Sequence, residues 1–238
     1  MTGMLASVTS IEEAEMVLNA GVDIIDIKNP LKGALGALDI KGVKNIVQKV
    51  NGAIPTSATV GDINPDDPNL LDAIFTMAST GVDFVKVGLF DNKPSSCFIK
   101  TIINATNHDI SLVIVSFAEN YSGKDSITPF LGSGIVGIML DTKEKTGNSL
   151  RSILDYYELQ QFVELAREFN LLTGLAGSLR FDDIEPLLAL KPDYLGFRGA
   201  LCKQQQRIEA IDEMSVHRVR SKIPNQTIYV TQAKAGIQ

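Results

Sequence analysis

Eight short strand-like runs, the second a β-branched apolar one, punctuate this chain of 238 residues, and a stretch long enough for a helix follows each one. Regular strand–helix alternation builds a parallel sheet, and eight such units in this length predict a single (β/α)8 barrel. A repeated phrase agrees with that reading. Gly21-Val-Asp-Ile-Ile-Asp-Ile-Lys28 returns as Gly81-Val-Asp-Phe-Val-Lys86, so two strands each carry a lysine near one end. The barrel is assigned to residues 1–223 and a C-terminal tail to 224–238. An open doubly wound sheet is the competing architecture, and its glycine fingerprint is matched by Gly132, Gly134 and Gly137. A nucleotide-binding fingerprint follows a strand and opens a helix. Here it leads into a strand, so it is read as a turn.

In order, Met4 to Val8 is the first strand, and Ser10 with Glu13 forms a capping box for a helix ending at Asn19. Ile24 to Lys28 is the second strand, followed by a glycine-bearing loop from Asn29 to Ala37 and a helix from Val43 to Val50. Strand three runs from Thr56 to Gly61, with a helix from Asn69 to Ser79. Strand four covers Phe84 to Gly88, with a helix from about Ser96 to Ala105. Ser111 to Phe117 and Ile135 to Leu140 are strands five and six. Phe162, Leu165, Ala166 and Phe169 recur at helical spacing, which marks Glu158 to Phe169 as amphipathic. Leu172 to Ala176 is strand seven, with a short helix from Asp182 to Leu190. Tyr194 to Arg198 is strand eight, with a closing helix from about Arg207 to Ile223.

With 45% hydrophobic residues the chain can bury a substantial core. A formal charge of −6 argues against a nucleic-acid-binding surface. Cys97 and Cys202 lie far apart without metal-ligand spacing, which fits a reducing cytoplasm. The first residues lack the basic flank and apolar core of a signal peptide, and no apolar run reaches the ~20 residues needed to cross a bilayer. A cytoplasmic location with no membrane partner is the expectation.

In a barrel of this kind the chemistry sits where the strands' C-terminal ends meet their loops. Residues two apart on a strand share a face, so Asp26 and Lys28 point the same way. Alternate strands supply one layer of inward side chains, which lets Lys86 join them. Two ammonium groups crowded in a low-dielectric mouth disfavour double protonation, and a neutral amine is what imine formation with a carbonyl requires. The other lysine can then serve as acid or base, with Asp26 balancing charge. Asp141 follows strand six at the same mouth. Lys143 and Lys145 lie beyond it, in a loop that can cover a substrate. Leu175-Ala-Gly-Ser-Leu179 and Gly196-Phe-Arg-Gly-Ala200 end strands seven and eight. Small residues there let backbone N–H groups face an anion, and barrels often bind phosphate at these two loops. Gly177, Ser178, Arg198 and Gly199 are the expected phosphate contacts.

His108 and His217 fall on helical or loop surfaces and support neither a catalytic triad nor a histidine metal site. Asp62 has no second carboxylate at telling spacing, so no metal and no cofactor are expected. The residues alone leave two readings open, an imine-forming aldolase of unspecified aldehyde and a catalytically silent barrel that binds sugar phosphates.

The motifs Asp26-Ile-Lys-Asn-Pro30, Val60-Gly-Asp62, Val85-Lys-Val-Gly88, Leu140-Asp-Thr142, Ala176-Gly-Ser-Leu179 and Phe197-Arg-Gly-Ala200 occur in this order. Together they resemble the (5-formylfuran-3-yl)methyl phosphate synthase family of methanofuran biosynthesis over roughly residues 4 to 202. The resemblance implies a (β/α)8 lyase that joins two molecules of glyceraldehyde 3-phosphate, with loss of one phosphate and two waters. It puts the Schiff-base lysine at Lys28 and the proton acceptor at Lys86, with Asp26, Asp141 and Lys145 in support. Its substrate partner is a triose phosphate, and a homo-oligomer is left open. The strand-two loop, Leu31 to Gly36, and the tail depart from the family pattern.

Overall fold

A computed structural model of the chain describes residues 1–144 and 148–224. Eight parallel strands close into a barrel in sequence order, β8 pairing back onto β1. They are β1 Gly3–Val8, β2 Ile24–Ile27, β3 Thr56–Thr59 and β4 Phe84–Leu89, then β5 Leu112–Phe117, β6 Gly137–Asp141, β7 Leu172–Leu175 and β8 Tyr194–Phe197. The surrounding helices are α1 Ile11–Asn19, α2 Ile40–Val50, α3 Leu70–Ala78, α4 Ser96–Thr106, α5 Leu150–Ile153, α6 Tyr156–Glu168, α7 Ile184–Ala189 and α8 Glu213–Arg220. The larger apolar core lies between the strands' outer faces and the helices, where Ile25, Val85, Ile114 and Ile138 meet Phe98, Phe162 and Ile46. A smaller cluster fills the barrel itself, built from Leu5, Phe84, Val113, Met139 and Tyr194. No helix among the described residues is long and apolar enough to cross a membrane.

One half of the repeated phrase is structural. Asp23, just before β2, accepts the Met4 N–H at 2.7 Å, and Asp83, just before β4, accepts the Thr56 N–H at 2.8 Å. Asp193 does the same for Thr173 at 2.7 Å before β8. Each carboxylate ties an even-numbered strand to the start of its odd-numbered neighbour, at the barrel end that serves stability.

The sequence and the structure differ in several segments. Beyond β5 the chain makes three 3₁₀ turns, over residues 118–130, where a helix has room to form. Gly123 at φ +65° and Pro129 break the helical path, while Ile127 and Phe130 still bury. Strand six starts at Gly137, two residues later than expected, because Gly132 and Gly134 turn with positive φ. A Cβ on Gly137 would stand 2.9 Å from the Leu172 carbonyl, so the last glycine of the fingerprint serves strand packing and the turn reading holds. The closing helix is shorter than its expected span of 207–223. Asp212 caps α8 by accepting from Ser215 N–H at 2.9 Å, and Ile211 upstream pairs antiparallel with Cys202. Residues 203–210 are thereby carried back over the barrel mouth. Ser10 does cap α1, accepting from Glu13 N–H at 3.2 Å, but the Glu13 carboxylate takes the N–H of Thr9 and serves a second purpose described below.

Candidate active site

At the C-terminal ends of the strands lies a cavity of about 590 Å³. Its lining holds five basic side chains (Lys28, Lys86, Arg180, Arg198, Arg207) against two acidic ones, Asp26 and Asp141, so it is built to attract anions. Leu35, Met139 and Ala176 supply apolar wall.

Asp26 is the hub. Strand register sets Ser7 on β1 and Ser57 on β3 directly beside it. Ser7 Oγ donates to Oδ2 at 2.9 Å and Ser57 Oγ to Oδ1 at 2.7 Å. Lys86 Nζ reaches the same Oδ1 at 2.8 Å, and Lys28 Nζ stands 3.9 Å from Oδ2. Lys86 is 3% exposed and Lys28 9%, so Lys86 forms the floor and Lys28 faces the opening. Beneath Lys86 the Tyr194 ring lies 6.0 Å from Nζ. Gly174 makes room for that ring, since a Cβ there would approach it to 2.3 Å.

These contacts set the charges. Burial works to raise the Asp26 carboxyl, but the ammonium groups of Lys86 and Lys28 and the bonds from Lys86 and Ser57 hold it down at about 2. Burial lowers Lys86, Asp26 opposes that, and the charge of Lys28 adds to the lowering. Burial likewise pushes the Tyr194 phenol far up, which keeps it neutral.

Asp141 is buried at the end of β6 and accepts the Thr142 N–H at 2.7 Å. Lys145 lies outside the described residues. The loop leading to it is pinned by Glu119, which accepts from Lys143 and Glu144 N–H at 2.9 and 3.0 Å.

Of the expected phosphate contacts, Gly177, Ser178 and Gly199 all line the cavity. Gly177 (φ +110°) and Ser178 (φ +48°) are consecutive left-handed residues, an uncommon conformation for serine. A Cβ on Gly177 would meet Thr142 Cγ2 at 2.7 Å, so the turn needs glycine.

Arg198 is placed differently from the other three. It lines the cavity, yet all five of its N–H donors are engaged by protein acceptors. Glu13 takes two of them, at 2.6 and 3.1 Å, and the carbonyls of Ser7, Arg207 and Glu209 take the rest at 3.1, 2.9 and 2.9 Å. Its side-chain donors are thus all used within the protein, and they join the end of β8 to α1.

Sequence reasoning missed Ser7, Ser57, Tyr194 and Arg207. Ser7 carried a signal as the lone polar side chain of β1 at the register of Asp26, whereas Ser57 sits among the threonines of β3 and did not stand out. Arg207 was read as the start of a helix, and only the bridge between Cys202 and Ile211 reveals that it returns to the mouth. Asp62 serves as a loop clamp, accepting the N–H groups of Ala34 and Leu35 at 3.0 and 2.7 Å.

The family model described as 4-HFC-P synthase matches residues 4–220. A Methylorubrum extorquens protein, provisionally named a (5-formylfuran-3-yl)methyl phosphate synthase, is 40% identical, covering 88% of this chain and 86% of its own length. The (5-formylfuran-3-yl)methyl phosphate synthase of Methanosarcina acetivorans is 34% identical, covering 89% of this chain and 95% of its own. Among solved structures, phosphoribosyl anthranilate isomerase from Thermotoga maritima aligns with a TM-score of 0.67 at 14% identity, over 93% of this chain and 98% of its own. 3-Hexulose-6-phosphate synthase aligns at 0.62 and 16% identity, over 93% of this chain and 100% of its own. At such identities these likenesses concern the fold alone.

Proposed function

Since the chain belongs to the 4-HFC-P synthase family, we propose that it makes (5-formylfuran-3-yl)methyl phosphate from two molecules of glyceraldehyde 3-phosphate, as a step of methanofuran biosynthesis. The observation that carries this reading is one carboxylate, Asp26, with two lysines 2.8 and 3.9 Å from it in a cavity rich in positive charge.

Lys28 faces the opening and adds through its amine to the aldehyde carbon of one triose; water leaves and an imine forms. The imine draws electrons from the neighbouring carbon and acidifies its proton. Lys86, lowered by burial, is suited to accept that proton as a neutral amine. The phosphate ester sits one carbon further on, so the electron pair released at the neighbouring carbon can expel it. Carbon–carbon bond formation with the second triose, ring closure and hydrolysis of the imine follow. The balance is two trioses in, and one furan aldehyde phosphate, one phosphate and two waters out. Asp26 stays ionised throughout and compensates the positive charge that the imine and the lysines carry. Backbone N–H groups at Gly177, Ser178 and Gly199 form a cup suited to the phosphate the product keeps.

Borohydride added during turnover should reduce the imine and leave a covalent adduct on the peptide containing Lys28, identified by mass spectrometry. Unmodified Lys28, or an adduct solely on Lys86, refutes the assignment. Product analysis on glyceraldehyde 3-phosphate tests the furan itself.

A further inference from the structure

We propose that Arg207 is the guanidinium that binds a substrate phosphate, in the role that the sequence suggests for Arg198. The inference deepens the triose phosphate reading and rests on it for the identity of the ester.

Two arginines follow β8 and line the same cavity, and their donors are used in opposite ways. Arg198 has all five committed to protein acceptors. Arg207 commits one, from Nη2 to the Gly33 carbonyl at 3.0 Å, and its other donors have no acceptor among the described residues. No carboxylate among them pairs directly with it either. Asp62, whose charge it feels, already accepts two backbone N–H groups, and Asp141 accepts the Thr142 N–H. Arg207 is half-buried at the mouth, so its charge is partly stripped of water and has no bonded counter-charge.

Its position fits the cup. Arg207 Cβ lies 4.0 Å from where a Cβ on Gly199 would stand, so the side chain springs from beside one of the two small-residue loops. A planar fork with several free donors suits a phosphate dianion better than a single ammonium does. The same guanidinium holds Gly33 in the loop after β2, whose next two N–H groups are held by Asp62. Phosphate binding and the seating of that loop over the cavity therefore share one side chain.

Titration of the full-length protein with inorganic phosphate, followed calorimetrically, tests this directly. Charge-assisted bonds of this kind should make phosphate binding roughly ten- to a hundredfold weaker in Arg207→Gln than in wild type. Arg207→Lys, which keeps the charge and loses the fork, should fall between them. Unchanged affinity in Arg207→Gln, or no binding by the wild type, overturns the proposal. Should Arg207→Gln fail to fold, Arg207→Lys decides, since an affinity equal to wild type in that variant also overturns it. Turnover measured in parallel separates the two claims. Wild type that binds phosphate through Arg207 but leaves glyceraldehyde 3-phosphate unconverted supports the arginine and refutes the furan reading. Conversion with undiminished phosphate affinity in Arg207→Gln refutes the arginine alone.

Discussion

Arg198→Ala separates a strut from a ligand contact, because the two roles predict different losses. The guanidinium is 6% exposed and the Glu13 side chain 10%, so their pair is screened little by water. Truncation leaves the Glu13 carboxylate buried without its cation, and leaves the carbonyls of Ser7, Arg207 and Glu209 each short of a donor. Breaking a buried pair from one side costs about 3–5 kcal/mol. For a chain of this size each kcal/mol is worth about 2–4 °C in melting temperature, so the variant should melt roughly 10 °C lower. Glu13→Ala should do much the same, although it lies outside the cavity lining. The double variant should lose less than the sum of the two, by a coupling of about 1–3 kcal/mol in urea unfolding. The reasoning fails if Arg198→Ala unfolds like wild type while its kcat/KM drops for glyceraldehyde 3-phosphate and holds for unphosphorylated glyceraldehyde. That pattern belongs to a residue that reads phosphate.

Lys86→Ala should lower kcat by about 10²–10⁴-fold and still permit borohydride trapping on Lys28. Normal turnover in that variant removes Lys86 from proton transfer. Asp26 is held at about 2 when folded, against 3.8 ordinarily, so it stabilises the protein above pH 4 and loses that contribution as pH falls from about 4 to 2. The loss is of order 2 kcal/mol, and urea midpoints across that range should flatten in Asp26→Asn. Gly33→Ala sets a Cβ 1.9 Å from Asp62 Oδ2 at a φ of +109°, which should unseat the loop after β2. Faster proteolytic cutting within residues 29–37 and a several-fold lower kcat/KM are expected, and wild-type resistance to cutting would contradict the clamp.

Element identity was legible because burial is periodic. β-branched runs on β2, β4 and β5 and the spaced apolar positions of α6 have one stable solution each. What could not be read depended on partners distant in sequence. Arg198 and Arg207 lie nine residues apart after strand eight, and nothing in their immediate neighbours says which is free to meet a ligand. Glu13, 185 residues away from Arg198, decides which of them is saturated. The 3₁₀ turns after β5 and the late start of α8 likewise rest on side-chain bonds and a two-residue bridge that leave no periodic trace.

The repeated phrase carries two separable jobs, and the separation bears on the lysines. Asp23, Asp83 and Asp193 each clamp a neighbouring strand at the barrel's N-terminal end. Counted from these clamps, Asp26, Lys86 and Gly196 stand three residues on, and Lys28, Gly88 and Arg198 stand five on. The clamp therefore tolerates an acid, a base or a glycine at the next inward position, and does not call for lysine at either level. At the upper level of β8 the charge is neutralised by a dedicated partner, Glu13, within a saturated set of bonds. Lys28 and Lys86 instead both pair with Asp26 while Asp141 acts on Lys86 through its charge, so among the described residues the direct pairs hold one more positive than negative charge when both lysines are protonated. A purely structural pair has no use for that excess, because a buried unpaired charge is costly and a second apolar side chain would serve better. Under the proposed imine chemistry, Lys86, whose charged form burial disfavours, is the amine that would use it.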